Sequence, residues 1–278
     1  MKKVIAVLMT FIVSGCASPR ETATALARDS GWQWSIVSAG KFDLASAEPE
    51  GQHAQTLWVY LEGDGVAYLS PTRPSSDPTP DDPVALRLAL AQPPGSAIAY
   101  LARPCQYTLP GHNRGCTQGY WTSARYAPEV IDSTNLAIDA MKANAGASHV
   151  VLVGYSGGGA VAVLTATRRK DVAGIITVAA NLDLAYWARR NGLTPLADSL
   201  DPANFAGAVA TIPQIHFTGA QDKVVATDVV QAFVDKLPAR APVRIVEVPG
   251  FTHTCCWVET WNGLVIRPEV KPALGQQY

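Results

Sequence analysis

His149-Val150-Val151-Leu152-Val153-Gly154-Tyr155-Ser156-Gly157-Gly158-Gly159-Ala160-Val161-Ala162-Val163-Leu164 is the stretch that decides the fold. Its first part is a short run with an unbroken apolar centre, the pattern of a strand buried on both faces. Its last part, Gly158 to Arg168, reads as a helix. Between them Gly154-Tyr155-Ser156-Gly157-Gly158 matches G-x-S-x-G. A turn this tight needs small residues on both sides of the serine, because side chains there would collide with the backbone. Such a turn lifts the hydroxyl clear of the sheet at a helix start, where backbone N–H groups favour negative charge. Gly157, Gly159 and Ala162 also fit a relaxed dinucleotide-loop pattern, but the next strand ends in Ala179-Ala180-Asn181, with no acid to hold a ribose. A P-loop lysine is absent too, and no cofactor is expected.

Outward from this turn, strands and helices alternate. Strands are expected at Thr56–Leu61, Ala97–Ala102, Val172–Ala179, Ile212–Thr218 and Val243–Val248, and helices at Pro83–Gln92, Glu129–Asn144 and Ala226–Lys236. Trp34–Val37 and Phe42–Ala45 read as a hairpin of modest strands, and a Pro-rich loop follows Glu62-Gly63-Asp64-Gly65. The alternation predicts a mostly parallel central sheet with helices on both faces, an α/β fold. Nothing in the composition marks a second domain. Residues 29–278 therefore read as one unit, with room for a small cap at 181–210.

An unassisted serine hydroxyl is a weak nucleophile, so a base must be found. His149 begins the strand leading to Ser156, His53 and His112 lie in loops, and His216 sits inside an apolar strand. His253 follows the last strand in a loop of turn-forming residues, where such a sheet collects its active groups. An acid must then orient the imidazole. Asp222, in Gly219-Ala220-Gln221-Asp222-Lys223-Val224-Val225, also lies just past a strand end, and Asp183 is the reserve candidate.

The order Ser156, Asp222, His253, each on a loop after its own strand, resembles the α/β-hydrolase family from Thr56 onward, and the G-x-x-D-x-x-V pattern is similar to that family's acid loop. The resemblance implies an eight-stranded sheet, cofactor-free hydrolysis of a small-molecule acyl substrate, and an oxyanion hole. That hole would combine the Gly157 N–H with one from Asp64 or Gly65. The loop often begins His-Gly in the family; here Glu62 and Asp64 add two acids, which are expected to disfavour anionic substrates. An ester is the expected substrate. A peptidase or acyltransferase on the same fold, and a non-catalytic ligand-binding lipoprotein, are the alternatives. Tyr120, Trp121, Trp187 and Trp257 are candidates to line an apolar cleft.

The N-terminus carries a targeting signal. Lys2 and Lys3 precede an apolar run, Val4 to Val13, too short to cross a ~30 Å bilayer as a helix. Val13-Ser14-Gly15-Cys16 resembles a bacterial lipobox, which implies a signal peptide at 1–15 and lipidation of Cys16. Residues 16–28, rich in Ala, Thr and Ser, then read as a tether. Ala17, rather than an aspartate, follows the cysteine, which points to the outer membrane facing the periplasm. Cys105, Cys116, Cys255 and Cys256 remain, an even number suited to an oxidising compartment. Of three possible pairings Cys105–Cys116 is favoured, leaving Cys255–Cys256 as an adjacent pair. Their spacing does not resemble a zinc site. A formal charge of −1 without a basic stripe argues against a nucleic-acid partner, and 48% apolar residues provide for a substantial core.

Overall fold

The computed structural model describes residues 17–268 and 270, so the expected signal peptide and Cys16 lie outside the described residues. In chain order the elements are α1 (Pro19–Asp29), β1 (Trp32–Ala39), β2 (Phe42–Pro49), β3 (Thr56–Leu61), β4 (Tyr68–Ser70), β5 (Arg73–Pro74), α2 (Val84–Leu90), β6 (Ala97–Leu101), α3 (Pro128–Asn144), β7 (His149–Tyr155), α4 (Gly157–Ala166), β8 (Val172–Val178), α5 (Leu184–Asn191), β9 (Gln214–Gly219), α6 (Thr227–Val234), β10 (Val243–Val248) and α7 (Trp257–Val265). Eight strands form the main sheet in the order β1-β2-β6-β3-β7-β8-β9-β10. The pairings β1–β2 and β2–β6 are antiparallel, and the rest are parallel. β4 and β5 make a separate two-stranded hairpin within the Pro-rich loop.

Side chains alternate across a strand, so each central strand feeds two cores. Leu57, Val59, Leu61, Val150 and Leu152 face α3, α4 and α6. Trp58, Tyr60, Val151 and Val153 face α1, α2 and α7. Helices therefore cover both faces, as the unbroken apolar strands require. The parallel strands all point one way, which brings the loops after β3, β7, β9 and β10 to one edge of the sheet.

The 16–28 tether is corrected. Ser18 and Glu21 close a capping box, with Glu21 N–H on Ser18 Oγ at 3.2 Å and Ser18 N–H on Glu21 Oε2 at 2.7 Å, and Pro19 opens the helix. Ala23 and Ala27, four residues apart on one face, are fully buried. The small residues that suggested a linker are small because α1 lies close against the body of the domain. The N-terminal hairpin is also longer than expected, at eight residues per strand. In the 181–210 stretch, α5 is followed by a 3-10 helix, Pro202–Val209, whose Ala203, Ala206 and Val209 join the core beneath α4. Cys105 and Cys116 stand sulfur to sulfur with their Cα atoms 5.6 Å apart, and the sulfurs of the adjacent Cys255 and Cys256 also lie side by side.

Candidate active site

Ser156 sits where β7 turns into α4, with φ 51° and ψ −121°. A serine with positive φ is strained, by roughly 1–3 kcal/mol, and persists only where its surroundings dictate it. The Ser156 N–H is fixed on Val178 O at 2.8 Å, and Ser156 O accepts from Gly159 N–H at 3.0 Å. The flanking glycines are required by close approach. A Cβ on Gly154 would stand 2.3 Å from Gly158 O, and one on Gly158 would stand 2.2 Å from Leu61 O.

His253, between β10 and α7, brings Nε2 to 3.0 Å from Ser156 Oγ. Its Nδ1 lies 2.8 Å from Asp222 Oδ2, on the loop after β9. The Asp222 side chain is fully buried, and its Oδ1 accepts the N–H groups of Val224 (2.8 Å) and Val225 (2.9 Å). A carboxylate only accepts, so the imidazole carries its proton on Nδ1 and turns a free lone pair on Nε2 toward the serine. Asp222 is thus both the turn aspartate of its loop and the partner of the imidazole. The base loop is held through its backbone: His253 O accepts from Tyr155 Oη and Trp257 Nε1, each at 3.1 Å.

The other candidates lie elsewhere. Asp183 caps α5 through Tyr186 N–H (2.8 Å) and pairs with Lys236 Nζ (2.8 Å). His216 is fully buried against Thr177 Oγ1 at 2.8 Å, and burial pushes its pKa down to about 3. His149 sits at the opposite end of β7 from Ser156, and His53 and His112 are exposed. Of the four aromatics only Trp187 reaches the cleft: Trp257 is core, Trp121 donates to Ser75 O, and Tyr120 stacks edge-on against Phe42.

The cleft over Ser156 has a volume of ≈ 440 Å³, with Val66, Tyr68, Pro80, Trp187 and Val225 among its walls. That size suits a small organic ligand, and Asp81, Asp82, Arg125 and Asn181 line the cleft beside the apolar residues. The loop Glu62–Gly65 forms one side. A Cβ on Gly63 would lie 3.5 Å from Ser156 Cβ, so this loop runs directly beside the hydroxyl.

The loop's two acids do not present free negative charge to the cleft, contrary to the expectation from sequence. Glu62 is turned inward, accepting from Gly63 N–H (2.9 Å), Ala85 N–H (3.3 Å) and Tyr100 Oη (3.1 Å), and burial pushes its pKa up to about 7. Asp64 is caged by Arg103 Nη1 (3.0 Å), Arg125 Nη1 (2.8 Å) and Tyr126 Oη (2.8 Å). Burial pulls its carboxyl upward, but Arg125 and Arg103 pull harder and hold it below the usual carboxylate range. Gln106 Nε2 ties down Gly63 O at 2.9 Å. None of these partners was identified from sequence. The available signal was a charged residue, Arg103, just past the end of buried β6.

No family model matches this chain, and no curated protein does. Solved structures do match. An α/β serine hydrolase homologue from Coxiella burnetii is 16% identical, with a TM-score of 0.58, covering 86% of this chain and 96% of that one. An esterase from Pyrococcus furiosus is 14% identical, TM-score 0.60, covering 91% and 92%. Est1E from Butyrivibrio proteoclasticus is 14% identical, TM-score 0.58, covering 84% and 95%. The strand order, the helices on both faces and these likenesses together show an α/β-hydrolase fold.

Proposed function

We propose that this chain is a serine hydrolase acting on carboxylic esters of small molecules through an acyl-enzyme on Ser156. The observation that carries the reading is the unbroken run from hydroxyl to imidazole to carboxylate, 3.0 Å and then 2.8 Å, opening on a cleft of ≈ 440 Å³. Ser156 Oγ attacks the ester carbonyl carbon while His253 Nε2 takes its proton, and Asp222 stabilises the imidazolium. The tetrahedral oxyanion is held by the N–H groups of Gly157 and Asp64. Of the two loop donors suggested by sequence, Asp64 is favoured because it is the loop residue packed against Gly157, the other donor, where a Cβ would lie 2.1 Å from Asp64 Oδ1. Collapse expels the alcohol oxygen, which takes the proton from His253. Water, deprotonated by the same imidazole, then attacks the acyl-enzyme and releases the acid.

The same proposal includes the cellular setting: lipid attachment at Cys16, an outer-membrane site facing the periplasm, and disulfides joining Cys105 to Cys116 and Cys255 to Cys256. These rest on the lipobox-like Val13–Cys16 and on the even cysteine count.

A fluorophosphonate probe and a panel of p-nitrophenyl esters of increasing acyl length test the reading. Wild type should label and turn over short esters, and Ser156→Ala should do neither. Equal labelling and turnover in the two proteins would exclude this mechanism. Turnover of amides in preference to esters would favour a peptidase on the same site.

A further inference from the structure

A carboxylate is an odd neighbour for an oxyanion hole, since it opposes the charge that must form there. Asp64 is nevertheless pressed against the other proposed donor: a Cβ on Gly157 would lie 2.1 Å from Asp64 Oδ1 and 2.4 Å from its Cγ. One carboxylate therefore touches the Cα of Gly157 while its own main chain supplies the second N–H. Its two oxygens are both taken, Oδ1 by Arg103 and Oδ2 by Arg125 and Tyr126. Those partners are rigid in turn. Arg125 Nε donates to Thr122 O at 2.9 Å, Arg103 Nη2 donates to Arg125 O, and both arginine side chains are more than nine-tenths buried.

We propose that the Asp64 side chain is a positioning residue that locks the two oxyanion donors, Asp64 N–H and Gly157 N–H, at a fixed separation, with Arg103, Arg125 and Tyr126 as its clamp. This rests on the hydrolase reading above. The charge balance fits the role. Two guanidinium groups share one carboxylate, so the cage carries one net positive charge beside the hole, and Arg103 Nε is buried without a partner. The negative charge of Asp64 is thereby offset, so its carboxylate does not oppose the oxyanion. Backbone donors fixed before the reaction need no reorganisation when charge develops, which is the condition under which they contribute most. Arg103 and Arg125 act at one remove, through Asp64.

The test compares wild type, Asp64→Asn and Tyr126→Phe in steady-state ester hydrolysis and in inhibition by a trifluoromethyl ketone, which forms the tetrahedral adduct. Asp64→Asn keeps the shape but loses the charge that grips both arginines. Its kcat should fall by roughly 10–10², with KM within about threefold of wild type. The inhibition constant for the ketone should rise by the same factor as kcat falls. A merely structural role would leave the ratio of that constant to KM unchanged. Tyr126→Phe removes a single bond from the clamp and should show a smaller loss with the same split. The proposal is overturned if folded Asp64→Asn keeps wild-type kcat, or if its loss lies in KM alone. Should Asp64→Asn fail to fold, wild-type kcat in Tyr126→Phe overturns it. A wild type that is inert toward esters and unlabelled by fluorophosphonate defeats the hydrolase reading itself, and this inference falls with it.

Discussion

Replacing Gly157 by alanine adds one carbon where the start of α4 meets the Asp64 carboxylate. The new Cβ would stand 2.1 Å from Asp64 Oδ1, over an ångström short of the 3.4 Å at which ordinary contact begins. A flexible side chain would swing away. Asp64 is held by three hydrogen bonds of 2.8–3.0 Å to Arg103, Arg125 and Tyr126, so the strain falls on the backbone of the Gly63–Gly65 loop or on the first turn of α4. Either movement separates the two proposed oxyanion donors by a distance comparable with the overlap. Misplacing reacting groups by ~1 Å costs about 10²-fold, and losing one oxyanion donor costs about 10²–10³-fold, or ~2.7–4 kcal/mol of transition-state stabilisation. Overpacking should also destabilise the fold by ~1–3 kcal/mol, lowering Tm by several degrees in a domain of this size. The assay is kcat and KM on a p-nitrophenyl ester, beside a thermal melt. Gly263→Ala is the matched control: it lies in α7, is exposed and has nothing within 4 Å of its Cβ, so alanine there should raise stability by ~0.5–1 kcal/mol and leave kcat alone. A Gly157→Ala protein that melts normally and turns over as fast as wild type would refute the reasoning about both the clamp and the hole.

Two further outcomes are expected. In Asp222→Asn the two backbone N–H groups of Val224 and Val225 keep the amide oxygen on their side, so the –NH2 faces His253 and forces the wrong tautomer; kcat should fall by about 10⁴ with little change in Tm, and a loss below tenfold would remove Asp222 from the mechanism. For Glu62, whose pKa rises from 4.5 to about 7 through burial, the folded state holds the proton that the unfolded chain releases between those values. Its contribution to stability is therefore full below pH 4.5 and is lost as pH rises toward 7, by roughly 3 kcal/mol. Glu62→Gln keeps the acceptor for Gly63 and Ala85 and should flatten that slope in denaturant melts at pH 5 and 7.5; an unchanged slope would show that Glu62 is ionised throughout.

Much of this molecule was legible because its strongest signals are local. The apolar run of β7, the crowded glycines around Ser156 and the alternation of strands and helices follow from steric and burial rules that act within a few residues. Those rules named Ser156 as the candidate nucleophile and the logic of strand ends named Asp222 and His253 as its candidate partners, three side chains that the fold brings within hydrogen-bond distance. The tether was misread because composition spoke louder than the capping box at Ser18 and Glu21, and because the burial of Ala23 and Ala27 depends on what lies opposite them. Only the tertiary structure decided the character of the Glu62–Gly65 loop. From sequence its two acids read as exposed charge. Folding turned one inward beside Tyr100 and surrounded the other with Arg103, Arg125 and Tyr126, residues some 40 to 60 positions away along the chain. Charge pairing in a buried site depends on distance through space, and spacing along the chain does not encode it.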